Sequence, residues 1–314
     1  MGRPVKSALL NLISTPIPVV NGLGLDVAVG LSSEDPIGNR RVSETFAAYL
    51  SIYGPDGRFA ERVDLGEIPP ARRQLFDVTA ITRSRFPGAD HLVVAHRIPR
   101  RLLAGHAPED VVELAAEDGD FAMYRSLVQF SYPGRANGSE IYETPPNFNA
   151  PRPGRAPAST LTFTSKVVVG AGVTTAIVLM NYSVDPAYAT TADYSFAFLG
   201  PDGSRVVTGT VAVPPFTARI LDASATIPAA AAAEWRDARD GLGWFTYVGL
   251  CRNTAVIPLI LTLSPDRGAV AVEHTHPAQA YTLPARAEDK HKVKSRALGL
   301  WAALLAEETE HAAR

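Results

Sequence analysis

Residues 19–36 read VVNGLGLDVAVGLSSEDP, and residues 168–186 read VVGAGVTTAIVLMNYSVDP. Both stretches start with two valines, carry two glycines separated by one residue, continue into an apolar run and end in Asp-Pro. Short apolar runs bounded by Gly and Pro are typical of strands, so each stretch predicts a turn followed by a β-strand. The similarity of two distant parts of one chain indicates an internal duplication.

Three further pairs of landmarks follow in the same order in the two halves of the chain. The tetrad GPDG places Pro at the second turn position, where its fixed φ is favourable, and Gly where a positive φ is needed. Each tetrad therefore predicts the tip of a β-hairpin. The pairs are GPDG at 54–57 and 200–203, IPP at 68–70 and VPP at 213–215, and LFD at 75–77 and ILD at 220–222.

Several short strand-like segments per unit, separated by turn residues, are typical of β-sandwiches. We therefore predict an all-β fold of two tandem, duplicated β-sandwich domains followed by a C-terminal α-helix. Short helices are also predicted at 108–116 and 228–238, where Pro precedes good helix formers. The predicted parts are an N-terminal leader at 1–14, sandwich repeat 1 at 15–145, a Pro-rich linker at 146–159, sandwich repeat 2 at 160–284 and the helix at 285–314.

The composition excludes several classes of protein. The 314 residues include 30 Lys and Arg against 32 Asp and Glu, which argues against a nucleic-acid-binding protein with a basic face. The single cysteine excludes an intrachain disulfide and a Cys-rich zinc site. No apolar run approaches the roughly 20 residues of a transmembrane helix, and no signal-peptide cleavage site is evident. We expect a soluble, cytoplasmic protein, and the abundance of Arg and Ala is typical of GC-rich bacteria.

The C-terminal segment has a different pattern from the rest of the chain. Leu298, Trp301 and Leu305 recur at helical spacing and predict an apolar stripe. Basic residues precede this stripe and acidic residues follow it, which opposes the helix dipole, so the helix needs packing support. Three supports are open: docking on its own domain, antiparallel pairing with a second copy to form a homo-oligomer, or peripheral contact with a membrane.

His274 and His276 are the best candidates for a metal site. Residues i and i+2 of a strand point to the same face, so both imidazoles can approach one ion. Together with Gly268, the pair resembles the first cupin motif, Gly-x5-His-x-His, over nine residues. The positions where a cupin carries its glutamate hold Ala280 and Tyr281 here. The resemblance implies a divalent transition metal, and the alternative is two surface histidines near a strand end.

A catalytic metal centre needs a third protein ligand. His91 and His96 are the candidates, but they are five residues apart, so an unbroken strand sends them to opposite faces and at most one contributes. If the chain is an enzyme, we predict metal-dependent chemistry through His274 and His276, in which the ion polarises the substrate or activates water.

A second candidate site is an arginine-rich stretch that occurs in the first half only. The planar guanidinium group suits bidentate anions, so this stretch predicts a surface for an anion or an acidic partner. The alternative is a solvated surface whose arginines pair with acids elsewhere. The candidate residues are Arg72, Arg73, Arg97, Arg100 and Arg101.

The leading functional hypothesis is a non-enzymatic binding or assembly protein. Two duplicated sandwiches form a pseudo-symmetric pair, and ligands commonly bind in clefts between such domains, so we expect the ligand or partner at the inter-domain cleft. The competing hypothesis is the metal-dependent enzyme. Features present in one repeat alone, the histidine pair and the arginines, are where we expect function.

Overall fold

The computed structural model describes residues 14–33, 44–103, 126–135, 138–143, 160–183, 185, 187–274 and 299. Strands dominate this part of the chain, as the sequence predicts. The strands are β1 (Ser14–Val19), β2 (Asp26–Ser32), β3 (Phe46–Tyr53), β4 (Phe59–Ile68), β5 (Arg73–Asp77), β6 (His91–Pro99), β7 (Ser126–Ser131), β8 (Gly138–Glu143), β9 (Thr160–Val169), β10 (Thr174–Asn181), β11 (Ala192–Leu199), β12 (Arg205–Val213), β13 (Thr217–Asp222), β14 (Gly243–Cys251), β15 (Ile257–Ser264) and β16 (Ala269–His274). The helices are α1 (Val78–Thr82), α2 (Ala223–Thr226) and α3 (Ala229–Glu234), and 3₁₀ turns occur at Asn21–Leu23, Arg100–Leu103 and Pro265–Arg267.

The described strands form four antiparallel four-stranded sheets, which confirms the all-β prediction. The strand orders are β1-β6-β3-β4 and β5-β2-β7-β8 in the first half, and β9-β14-β11-β12 and β13-β10-β15-β16 in the second. Adding eight to each strand number of the first half gives the order of the second. The two halves therefore share one topology.

The chain divides into two compact units. The first unit comprises Met1–Arg155 with Tyr182–Ala189 and Pro214–Ala218, and the second comprises the remaining residues. The predicted linker at 146–159, the predicted helix at 108–116 and the residues Leu298, Trp301 and Leu305 lie outside the described residues. Among the described residues, no helix is long and apolar enough to cross a membrane.

The two GPDG tetrads form hairpin tips, as the sequence predicts. The amide of Gly57 donates to the carbonyl of Gly54 at 2.8 Å, and that of Gly203 to Gly200 at 2.9 Å. Gly57 and Gly203 have φ values of 79° and 83°, which glycine adopts at little cost. The tips connect β3 to β4 and β11 to β12.

Each unit buries the facing sides of its two sheets. In the first unit, alternate residues of β2 point inward and are fully buried, namely Val27, Val29 and Leu31. The hydroxyl of Thr15 on β1 donates to that of Ser126 on β7 at 2.8 Å, which connects the two sheets through the core.

The core of the second unit is rich in aromatic residues. Tyr194, Phe198 and Tyr247 are fully buried among apolar residues of both sheets, and Cys251 is buried beside them. Burial raises the pKa of Tyr247 and Tyr194 well above the ordinary tyrosine range. The Tyr194 hydroxyl lies where a Cβ at Gly249 would be, 1.9 Å from the ideal position. Glycine at this position therefore makes room for the tyrosine.

The two units begin a helix in the same way after their fifth strand. Oδ1 of Asp77 accepts a hydrogen bond from the amide of Ala80 at 2.8 Å, and Oδ1 of Asp222 accepts one from the amide of Ser224 at 2.9 Å. Both aspartates are N-caps, which satisfy an amide at the start of a helix. The helix predicted at 228–238 is shorter, because Arg236 forms a β-bridge with Gly243.

Candidate functional site

The structure separates the five candidate arginines into three environments. Arg97 lies on the inward side of β6, opposite Ala48, and is only 1 % exposed. Its Nη1 donates to the carbonyl oxygen of Ser32 at the end of β2, at 2.5 Å. Arg97 is therefore part of the interior of the first unit and does not belong to an exposed arginine surface.

Arg100 and Arg101 are exposed, and each forms an ion pair with a glutamate. Arg100 forms an ion pair with Glu67, and Nε of Arg101 lies 3.1 Å from Oε1 of Glu44. Exposed ion pairs of this kind stabilise a protein by at most about 1 kcal/mol. For these two residues the arrangement matches the alternative interpretation, in which the arginines pair with nearby acids.

Arg72 and Arg73 are exposed, and in the described part of the chain neither forms an ion pair with an acid. Arg73 begins β5, the edge strand of its sheet, and its Cδ lies 3.7 Å from the position of a Cβ at Gly30. Leu75, two residues further along the same face, is 60 % exposed. We call the surface formed by Arg72, Arg73 and Leu75 the β5 face.

A groove lies next to the β5 face. It has a volume of about 340 Å³, and we call it the β5 groove. Its wall carries both signs of charge, and the Tyr132 hydroxyl is buried without a hydrogen-bond partner among the described residues. Burial also raises the pKa of Tyr132. The polar lining residues are Asp26, Asp77, Ser131, Tyr132 and Arg135, and the apolar ones include Val27, Ala28 and Leu75.

The sequence analysis did not identify this groove. Its residues come from β2, β5 and the turn after β7, and no local motif connects them. A signal was nevertheless present in the repeat: Asp26 of the first copy aligns with Thr174 of the second through the flanking glycines.

The histidine pair is only partly within the described residues. His274 ends β16, where its backbone is in register with Leu259, but its side chain and all of His276 lie outside the described residues. The described residues contain no group of three His, Cys, Asp or Glu side chains suited to a metal ion. The metal-binding hypothesis stays a prediction.

His91 and His96 lie on opposite sides of β6, and both are buried. The ring of His96 lies between two hydroxyls: Nδ1 is 2.6 Å from Oγ of Ser14, and Nε2 is 2.9 Å from Oγ of Ser51. Burial, reinforced by the charge of Arg62, lowers the pKa of His96 to about 3. His96 is therefore neutral, and both of its nitrogens are committed to hydrogen bonds.

His91 has a different environment from His96. Its Nδ1 lies 3.0 Å from the carbonyl oxygen of Ala89, and its ring packs against Phe86 at a centroid distance of 5.2 Å. Burial lowers its pKa as well.

No protein-family model and no curated protein sequence matches the chain. Among solved structures, the chain is similar to a glycosyl hydrolase family 2 member from Bacteroides cellulosilyticus, with 10% identity, coverage of 83% of this chain and 27% of that chain, and a TM-score of 0.19. A β-glucuronidase from glycoside hydrolase family 2 shows 9% identity, coverage of 83% and 23%, and a TM-score of 0.19. The infectious bursal disease virus Gx strain structure shows 10% identity, coverage of 82% and 62%, and a TM-score of 0.17.

The chain therefore spans 27% and 23% of the length of the two hydrolases. TM-scores this low carry no argument about fold or function, which depend here on the chain's own strands and side chains.

Proposed function

We propose that this chain is a non-enzymatic binding or assembly protein and that the β5 face of its first unit binds an acidic, extended segment of a partner protein. The observation that carries the proposal is the combination of exposed Arg72 and Arg73 with the 60 % exposed Leu75 on an edge strand. An edge strand can pair with an added strand, and guanidinium groups beside it attract carboxylates.

The chemistry of the partner follows from the three side chains. Guanidinium groups bind carboxylates in a bidentate manner, and Leu75 offers an apolar contact. Among the described strands, none pairs with the outer side of β5, so its backbone can pair with an added strand. An extended segment that alternates acidic and apolar residues fits both features.

Charge reversal tests the proposal. We expect a capped peptide of alternating glutamate and leucine to bind the full chain, and the double variant Arg72→Glu/Arg73→Glu to weaken binding by about tenfold or more, since it replaces attraction by repulsion. Affinity should also fall when the salt concentration rises from about 0.02 M to about 0.3 M, which shortens the Debye length. Fluorescence anisotropy of the labelled peptide measures both effects.

The matched control is Arg236→Glu/Arg239→Glu, which makes the same charge change on exposed arginines of the second unit. This control should bind the peptide as the unmodified chain does. Equal binding by the β5-face variant, or equal binding of a lysine–leucine peptide, contradicts the proposal.

We propose further that the two units arose by duplication and that the C-terminal segment pairs two copies into a homodimer. The shared strand order supports the first proposal. The second rests on sequence alone: antiparallel pairing brings the basic half of one segment against the acidic half of the other. The binding of a ligand or partner at the inter-domain cleft stays a prediction.

Truncation after Pro284 tests the dimer. We expect the full chain to have the mass of a dimer and the truncated chain that of a monomer, because the stripe of Leu298, Trp301 and Leu305 is removed. Light scattering coupled to size-exclusion chromatography measures the two masses. An unchanged mass contradicts the pairing.

A further inference from the structure

The two units differ at the start of their second strand. In the second unit, the hydroxyl of Thr174 donates to Oδ1 of Asp222 at 2.8 Å. The first unit has Asp77 in place of Asp222, also as an N-cap but bonded to the amide of Ala80, and it has Asp26 in place of Thr174. A donor that satisfies the capping carboxylate is thus replaced by a second carboxylate.

This replacement places two carboxylates, those of Asp26 and Asp77, in the lining of the β5 groove. A guanidinium nitrogen of Arg83 lies 3.4 Å from Oδ1 of Asp26, and the described contacts of the Asp77 carboxylate go to the amide of Ala80. Two carboxylates on one face repel each other unless a cationic group lies between them. The carboxylate side of the groove therefore suits an ammonium group.

The β5 groove also carries a positive charge. Arg135 lines the groove and forms no ion pair with an acid among the described residues. The hydroxyl of Tyr132 is nearby, buried and without a partner in the same part of the chain. Leu75 and Ala28 supply apolar lining.

We propose that the β5 groove binds a small zwitterion, an amino acid or a dipeptide with an apolar side chain. The ligand ammonium group lies between Asp26 and Asp77, its carboxylate pairs with Arg135, and its side chain contacts Leu75. The volume of about 340 Å³ is within the range of small-molecule pockets. This site shares Leu75 with the β5 face, but its charged residues are different, because Arg72 and Arg73 do not line it.

Calorimetric titration of the full chain tests the site with L-leucine and leucyl-leucine as probes. We expect saturable binding of at least one of the two, and the comparison decides between a free amino acid and a dipeptide. N-acetyl-leucyl-leucine lacks the ammonium group, and leucyl-leucinamide lacks the carboxylate. If leucyl-leucine binds, each blocked compound should bind at least about tenfold more weakly than leucyl-leucine does. If only L-leucine binds, neither blocked compound should bind.

Three variants locate the site, and each is chosen to preserve the fold. Asp77→Asn retains a good N-cap while it removes the charge. Asp26→Thr recreates the hydrogen bond seen between Thr174 and Asp222 in the second unit. Arg135→Gln removes the guanidinium from an exposed turn. Each should weaken binding by about tenfold or more, whereas Arg236→Gln in the second unit should have no effect.

The outcomes separate this inference from the proposed function. Absence of saturable binding by both probes at about 10 mM, a range where even weak sites are occupied, overturns the zwitterion site. Equal affinity for the blocked compounds, or unchanged binding in all three variants, also overturns it. The Arg72→Glu/Arg73→Glu variant should still bind the zwitterion, so failure of the partner surface leaves this site intact.

Discussion

Gly249→Ala is expected to lower the free energy of unfolding of the second unit by about 3 kcal/mol. The new Cβ would lie 1.9 Å from the hydroxyl oxygen and 2.5 Å from Cζ of Tyr194. Tyr194 is fully buried in the core, so its ring must displace packed neighbours to make way for the new Cβ. Urea unfolding followed by the fluorescence of Trp235 and Trp244, both in the second unit, measures the effect.

Two further variants test the cause of this loss. In a Tyr194→Leu background, Gly249→Ala should cost less than it does alone, because the clashing ring is absent. Gly30→Ala in the first unit, followed by circular dichroism, is the control: its Cβ would lie 3.3 Å from Cβ of Leu127, so the expected cost is below about 1 kcal/mol. A Gly249→Ala variant within about 0.5 kcal/mol of the unmodified chain contradicts the packing described.

Acidification from pH 7 to pH 5 is expected to destabilise the first unit by about 2 kcal/mol. The pKa of His96 is about 3 in the folded chain and 6.5 in the unfolded chain. Below pH 6.5 the unfolded chain therefore binds a proton that the folded chain does not. The stability that neutral His96 provides is complete above pH 6.5 and is lost progressively as the pH falls towards 3. His91 acts in the same direction, because burial lowers its pKa as well.

The variant His96→Gln isolates the contribution of His96. A glutamine amide offers one donor group and one acceptor, so it can bond the hydroxyls of Ser14 and Ser51 without titrating. We expect His96→Gln to remove most of the pH dependence of the free energy of unfolding between pH 7 and pH 5. His91→Gln should retain the part of this dependence that is due to His96. Urea unfolding followed by circular dichroism, with the transition of the first unit assigned by amide exchange in β6, measures the slope. If the free energy of unfolding of the unmodified chain does not change between pH 7 and pH 5, the low pKa of His96 is contradicted.

The sequence was sufficient to predict the strands and the hairpins because these depend on local patterns. Alternating residues and GPDG turns specify β3, β4, β11 and β12 with errors of a few residues at their ends. The repeat also led to the expectation that the halves share a design, and their strand orders agree with it.

The environments of the arginines could not be predicted from the sequence. Arg97 is separated by only two residues from Arg100, yet strand register turns it into the core. Arginine is almost never fully buried in proteins, so the residue type alone predicts an exposed side chain, whereas Arg97 is buried. Arg100 and Arg101 pair with Glu67 and Glu44, which are distant in sequence and reach them only through the fold.

The β5 groove was missed for a related reason. Asp26, Asp77 and Arg135 come together because β2 pairs with both β5 and β7. Such pairing brings residues about 50 to 110 positions apart to one groove, and no local sequence motif connects them. The sequence indicates the groove only through the difference between Asp26 and Thr174 at matching positions. That difference can be interpreted only once the hydrogen bond between Thr174 and Asp222 is known.

The central claim, that the β5 face of the first unit binds an acidic extended partner, is tested most directly by amide hydrogen exchange. The full chain is compared with and without the glutamate–leucine peptide. We predict slower exchange in Arg73–Asp77 of β5 and unchanged exchange in residues 219–222 of β13, the counterpart strand, which belong to the second unit. Unchanged exchange in β5, or equal protection of β5 and β13, would contradict the claim.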